Sequence, residues 1–260
     1  MAASSPSSAL RIYGHPGSGN AFKPHLLASL LGVPADFIQI DLGQTSTNPS
    51  CENNSEAFRA LGGSTVPVLV DSRAAAAASL DAPSEAAFAN NAATLEKYGP
   101  AGRVVRDSGA CLVYLALSAA AADPAKRSWF PVDDAAAAAR VLTWLAFANS
   151  DVNGSLLHVR IALIFGWAIP GTVDEALARS RTVLAALEAR LAEGAAAGEQ
   201  WVASRDAPTV ADVAVFPYVA LAETSSKGAL ALSAFPAVCS WIRRVRVLPG
   251  FVAQDGIFLG

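Results

Sequence analysis

Three short stretches of this 260-residue chain hold side chains suited to binding a small charged molecule. In the first, Gly17-Ser18-Gly19-Asn20, glycines meet the start of a helical pattern. Ser18 and Asn20 are neutral hydrogen-bond donors at a place where the helix dipole favours an anion. Phe22 stands where a dinucleotide fingerprint needs its third glycine, and no Gly-Lys-Ser/Thr follows, so a phosphate loop is a poor reading. A thiolate is the anion that fits best. A free thiol has a pKa of about 8.5, and one pKa unit corresponds to about 1.36 kcal/mol. A hydrogen bond to a charged group contributes roughly 1.5–3 kcal/mol, so one or two donors suffice to ionise a bound thiol at neutral pH. By itself Ser18 is explained equally well as an ordinary helix cap.

The second stretch is Val66-Pro67 at the head of a strand. A cis proline there would turn the backbone of residue 66 outward to pair with an extended peptide. Local sequence alone favours an ordinary trans proline at a strand edge. The third is Asp107-Ser108, an acid and a hydroxyl at a second helix start. Asp107 can take an ammonium, while Ser108 and the helix amides take a carboxylate, which together hold an amino-acid head group. Simple capping fits this pair as well.

These stretches need elements to position them. Leu10–Gly14 reads as a strand, Gly19–Leu31 as a helix closed by Gly32, and Phe37–Asp41 as a second strand, giving a β-α-β start with parallel strands. Glu52–Leu61 is a weak helix, Val66–Val70 a third strand and Val104–Arg106 a short fourth. Residues 71–102 interrupt what should be a tight hairpin, with a helical pattern over Ser84–Tyr98. From Trp129 onward the pattern is helical, with helices over Ala135–Asn149, Val173–Leu191 and Pro236–Val247. A capping box at Thr209-Val210-Ala211-Asp212 opens another. A break at Asp123-Pro124 divides the chain into an N-terminal tail over 1–9, an α/β domain over 10–122 and an all-helical domain over 123–260.

The balance of 19 basic and 22 acidic side chains gives a net charge of −3, without the basic surplus of a nucleic-acid or anionic-membrane binder. No apolar run is long enough to span a membrane. Three cysteines and three histidines, all scattered, suit neither a disulfide scaffold nor a metal centre, and the thiols fit a reducing compartment. The first ten residues lack the charged start and apolar core of a signal peptide. A cytoplasmic location is therefore expected.

Taken in order, RIYGHPGSGNAFK, STVPVLV, RVVRDSGACLVYLA, APTVADVAVFPYVALA and FPAVCSWIRRVRVLPGF resemble the cytosolic glutathione S-transferases. The SGNAFK segment is similar to bacterial and fungal-type members that use Ser or Asn at the thiol. The resemblance implies a thioredoxin-like domain followed by an all-α domain, glutathione as substrate with no metal, a small-molecule electrophile as partner and a homodimer. Ser18 then matches the donor to the glutathione sulfur, and Asn20 the alternative donor. Val66 matches the residue whose backbone pairs with the cysteinyl part, before a cis Pro67. Asp107 and Ser108 match the pair that grips the γ-glutamyl end. Thr209 and Asp212 match the family's structural capping box. Where many members carry Lys, Arg or Gln before Val-Pro this chain has Thr65, which leaves Gln44 or Lys23 to hold the glycyl carboxylate. In this fold the 71–102 insertion should sit at the hairpin tip, away from glutathione, and serve packing or association. The electrophile pocket would lie between the domains, with His15, Trp144 and Phe147 as wall residues; Trp144 and Phe147 fit helix core at least as well. The expected activity is addition of the glutathione thiolate to an apolar electrophile. The alternatives are peroxidase, isomerase or dehalogenase chemistry in the same site, or a non-catalytic binding module.

Overall fold

The computed structural model describes residues 8–43, 51–62, 65–73, 92–99 and 102–253. The chain divides into two compact units, which over these residues are 8–115 and 116–253.

The first unit opens with β1 (Leu10–Gly14), α1 (Gly19–Leu30) and β2 (Asp36–Gln39). It continues with a 3-10 turn at Glu52–Asn54, α2 (Glu56–Arg59), β3 (Val68–Asp71), α3 (Ala92–Tyr98) and β4 (Arg103–Arg106). The strands form one mixed sheet in the order β2-β1-β3-β4. β1 and β2 run parallel, as a helical crossover requires, and the other pairs are antiparallel. Gly14 permits the tight β1-α1 packing, because a Cβ there would lie 2.5 Å from the Cβ of Ala21.

Side chains alternate across the sheet. Tyr13, Val68 and Val70 bury one face together with Ile40, Phe58, Leu61 and Tyr98. The expected helix over Glu52–Leu61 is broken in two, because the Ser55 hydroxyl caps a new start by accepting from Phe58 N at 3.1 Å. Of the insertion's expected helix, residues 84–91 lie outside the described residues; the remainder is α3. Its last residue is anchored in the sheet. The Tyr98 carbonyl accepts from Arg11 Nη1 at 2.5 Å and from the Tyr13 hydroxyl, and the Tyr98 hydroxyl donates to Glu52 at 2.9 Å.

Helix α4 (Ser108–Ala122) starts in the first unit and the division falls within it. The second unit is helical: α5 (Ala135–Phe147), a π-helical stretch Ala148–Leu157, α6 (His158–Leu163), α7 (Val173–Ala196), α8 (Val210–Ala220), the single turn α9 (Ala222–Ser225) and α10 (Pro236–Arg246). The helix expected to end at Asn149 instead widens and runs on to Leu163. At the start of α8 the capping box is present. The buried Asp212 carboxylate accepts from Thr209 N at 2.9 Å, and the Thr209 hydroxyl accepts from Ala211 N at 3.2 Å. Asp212 also accepts from Val202 N at 3.0 Å and Trp241 Nε1 at 2.9 Å, so it ties α8 to α10. No helix among the described residues is long and apolar enough to cross a membrane.

Candidate functional site

Strand register brings the three stretches to one end of the sheet. Tyr13 of β1 pairs with Val68 of β3, and Val68 with Arg106 of β4. The turn after β1, the segment before β3 and the turn after β4 are therefore neighbours. These are His15–Ser18, Thr65–Pro67 and Asp107–Ser108.

At the first, Ser18 is the N-cap of α1, and its Oγ accepts from Ala21 N at 3.3 Å. The oxygen accepts, so its hydrogen can be donated outward. His15 shapes the turn, with Nδ1 accepting from Gly17 N at 3.0 Å. At the second, the Val66–Pro67 peptide is cis; Pro67 is buried, Val66 half-buried and Thr65 exposed. At the third, Asp107 has φ +72°, a left-handed conformation uncommon for a residue with a side chain. Its Oδ1 accepts from Gly109 N at 2.8 Å and Ala110 N at 3.0 Å, capping α4. Those amides are engaged by Asp107 itself, so they are not open to a carboxylate as the sequence suggests. Ser108 is buried, and its hydroxyl donates to Asn20 Oδ1 at 3.5 Å, a long contact that joins the two helix starts.

One turn beyond Asn20 on the same face of α1 lies Lys23, wholly buried. Burial pushes its pKa down to about 7, and the Asp107 carboxylate opposes that shift. On the other side of the Asp107 turn, burial pushes the Cys111 thiol up, with Asp107 acting the same way, so Cys111 stays protonated and inert. Among the described residues, no three His, Cys, Asp or Glu side chains gather as metal ligands would.

Residues 170–244 match the family model "Glutathione S-transferase, C-terminal domain". A glutathione S-transferase from Xanthobacter autotrophicus Py2 superposes with a TM-score of 0.69 at 25% identity, over 95% of this chain and 97% of its own. Ure2p in complex with glutathione gives 0.69 at 21% identity, over 95% and 94%. The transferase URE2P6 from Phanerochaete chrysosporium, in complex with oxidised glutathione, gives 0.65 at 18%, over 94% and 93%. The chain has the glutathione S-transferase fold. No curated protein matches it.

Within this fold, a thioredoxin-like unit precedes the helical one. The first unit carries Ser18, Asn20, Lys23, Thr65, Val66, Pro67, Asp107, Ser108 and His15. Gln44 lies outside the described residues. Trp144 and Phe147 are half-buried on α5 in the second unit, edge to face with ring centroids 5.0 Å apart. His25 stacks on Phe37 at 5.1 Å, which accounts for it structurally. In α10, Arg243 and Arg246 are exposed, while Arg244 donates to the Gln200 carbonyl at 2.8 Å. Sequence reasoning missed that Lys23 is wholly buried, for which the local sequence holds no signal.

Proposed function

We propose that this chain binds reduced glutathione at the sheet end shared by Ser18, Val66 and Ser108, and adds its thiolate to an apolar electrophile. The observation that carries this reading is the convergence of two helix starts. The Tyr13–Val68–Arg106 register aligns them, and the Ser108–Asn20 contact at 3.5 Å joins them.

Each group then has one task. The γ-glutamyl ammonium pairs with Asp107, and the carboxylate beside it accepts from Ser108, whose hydroxyl turns from its long contact with Asn20 Oδ1 when the ligand binds. The Val66 backbone pairs with the cysteinyl amide as a short added strand. The sulfur lies over the start of α1, where the Ser18 hydroxyl or the Asn20 amide donates to it. The positive helix end adds to that stabilisation and favours the thiolate over the thiol. The protein ionises and positions: the thiol proton passes to solvent, and the sulfur lone pair forms the new bond as the electrophile's π bond opens or its leaving group departs with its electron pair. That Ure2p, of the same fold, forms a complex with glutathione supports the choice of ligand.

Retention on immobilised glutathione, followed by conjugation to chlorodinitrobenzene, tests the reading. Retention with conjugation is expected, and either Ser18→Ala or Asn20→Ala should lower kcat/KM at least tenfold. If neither does, the sulfur site is wrongly assigned. Retention without conjugation favours peroxidase, isomerase or dehalogenase chemistry, and no retention at all overturns the glutathione site.

A further inference from the structure

The helical unit holds a cleft that has no part in the glutathione reading. It opens between the first two turns of α5 and the loop that precedes α8, and its volume is about 260 Å³. Pro131, Ala137 and Val141 line one side, and Ala203 and Ala207 the other. These side chains are short, so the space between the two elements stays unfilled. Deepest in the lining are Val141, Ala203 and Thr209, all buried.

The loop side is set in advance. Its backbone turns back on itself, with Gln200 N donating to the Arg205 carbonyl at 3.1 Å and Trp201 N to the Ser204 carbonyl at 3.3 Å. Val202 is held at both ends: its N–H donates to Asp212 at 3.0 Å, and its carbonyl accepts from Arg190 Nε at 3.1 Å. Thr209 is fixed by the capping box of α8. A preformed site spares a ligand most of the ordering cost of binding.

Three charges line the cleft, Arg140 on α5 and Arg205 and Asp206 on the loop. Among the described residues, none of these three side chains makes an ion pair or a hydrogen bond. The acids at the two helix starts are engaged elsewhere, since Asp134 accepts from Ala137 N at 2.9 Å and Asp212 from Thr209 N at 2.9 Å. Two open guanidinium groups thus face one open carboxylate, an excess of one positive charge over apolar walls.

We propose that this cleft is a second ligand site, which takes a small amphiphilic monoanion: its carboxylate lies between Arg140 and Arg205, and its hydrocarbon body lies between the apolar walls. A guanidinium fork matches the two oxygens of a carboxylate. The single surplus charge selects a monoanion, and the walls select hydrocarbon over a sugar or a nucleotide. The volume falls just under the range of about 300–1,000 Å³ usual for drug-sized ligands, which limits the body to one ring and a short chain. Every lining residue belongs to the helical unit, so the site is independent of glutathione binding.

The test is calorimetric titration with hydrocinnamate and with its uncharged isostere hydrocinnamamide, each in the presence of excess S-methylglutathione to occupy the other site. The acid should bind to one site and the amide at least tenfold more weakly. Arg140 and Arg205 are exposed, so Arg140→Ala and Arg205→Ala should leave the melting temperature unchanged. Each should weaken binding of the acid several-fold, and the double variant at least tenfold. Ala137→Leu fills the cleft from α5 without changing its charge and should abolish binding. Wild-type affinity in the double variant, equal binding of acid and amide, or no binding of the acid by the wild type at millimolar concentration each overturns the proposal. None of these results touches retention on immobilised glutathione, which tests the first site alone.

Discussion

Asp107 serves two tasks that a single substitution separates. One carboxylate oxygen caps α4 by accepting from Gly109 N at 2.8 Å and Ala110 N at 3.0 Å, while the charge is what an ammonium would meet. Asp107→Asn keeps the capping oxygen, and asparagine is both an equivalent N-cap and among the residues most tolerant of φ +72°. The fold should therefore lose only the charge–dipole contribution, about 0.3–1 kcal/mol. A hydrogen bond to a charged partner contributes about 1.5–3 kcal/mol, equivalent to roughly ten- to hundredfold in affinity. Asp107 is exposed, so solvent screening puts the expected loss at the lower end, about tenfold. The assay is glutathione binding by calorimetry beside a thermal melt. Asp107→Ala is the contrast, since it loses the cap as well and should cost about 1 kcal/mol more stability. An Asp107→Asn protein that binds within twofold of wild type would refute the assignment of the ammonium to Asp107.

Two further outcomes follow from buried groups. Asp212→Ala strands three buried donors, Thr209 N, Val202 N and Trp241 Nε1, and at about 1–3 kcal/mol each it should cost about 3–9 kcal/mol in urea denaturation. A loss below about 1 kcal/mol would sink that account. Burial pushes the Tyr13 phenol up to about 12, so its contribution is whole below pH 10 and lost as pH rises through 12. That amounts to roughly 3 kcal/mol. Denaturation midpoints that stay flat from pH 9 to pH 12 would contradict it.

Legibility in the sequence followed the range of the interaction. β1, α1 and β2 were readable because each is specified locally, by a short apolar run, a 3.6-residue period and the Gly32 stop. The box at Thr209 was readable because its partners stand three positions apart. The continuation of α5 was not, because Asn149-Ser150-Asp151-Val152-Asn153-Gly154 carries the polar and glycine residues that usually end a helix. In the structure the Ser150 hydroxyl bonds back to the Ala146 carbonyl at 2.9 Å and Ser155 to the Asp151 carbonyl at 2.5 Å, and the turns widen to a period that a 3.6-residue template does not match.

Lys23 is the more instructive miss. Thr65, standing where many members of the family carry Lys, Arg or Gln, leaves Gln44 or Lys23 for the glycyl carboxylate, and the structure buries Lys23 wholly. Its burial is decided 84 residues away, where β4 ends and Asp107 turns the chain into α4 against the same face of α1. Local sequence carries no trace of that meeting. Ser18 and Asp107 were legible as helix caps because a short polar side chain at a helix start has an evident local task. Lys23 stands one helical turn past the start of α1, where no such local task marks it.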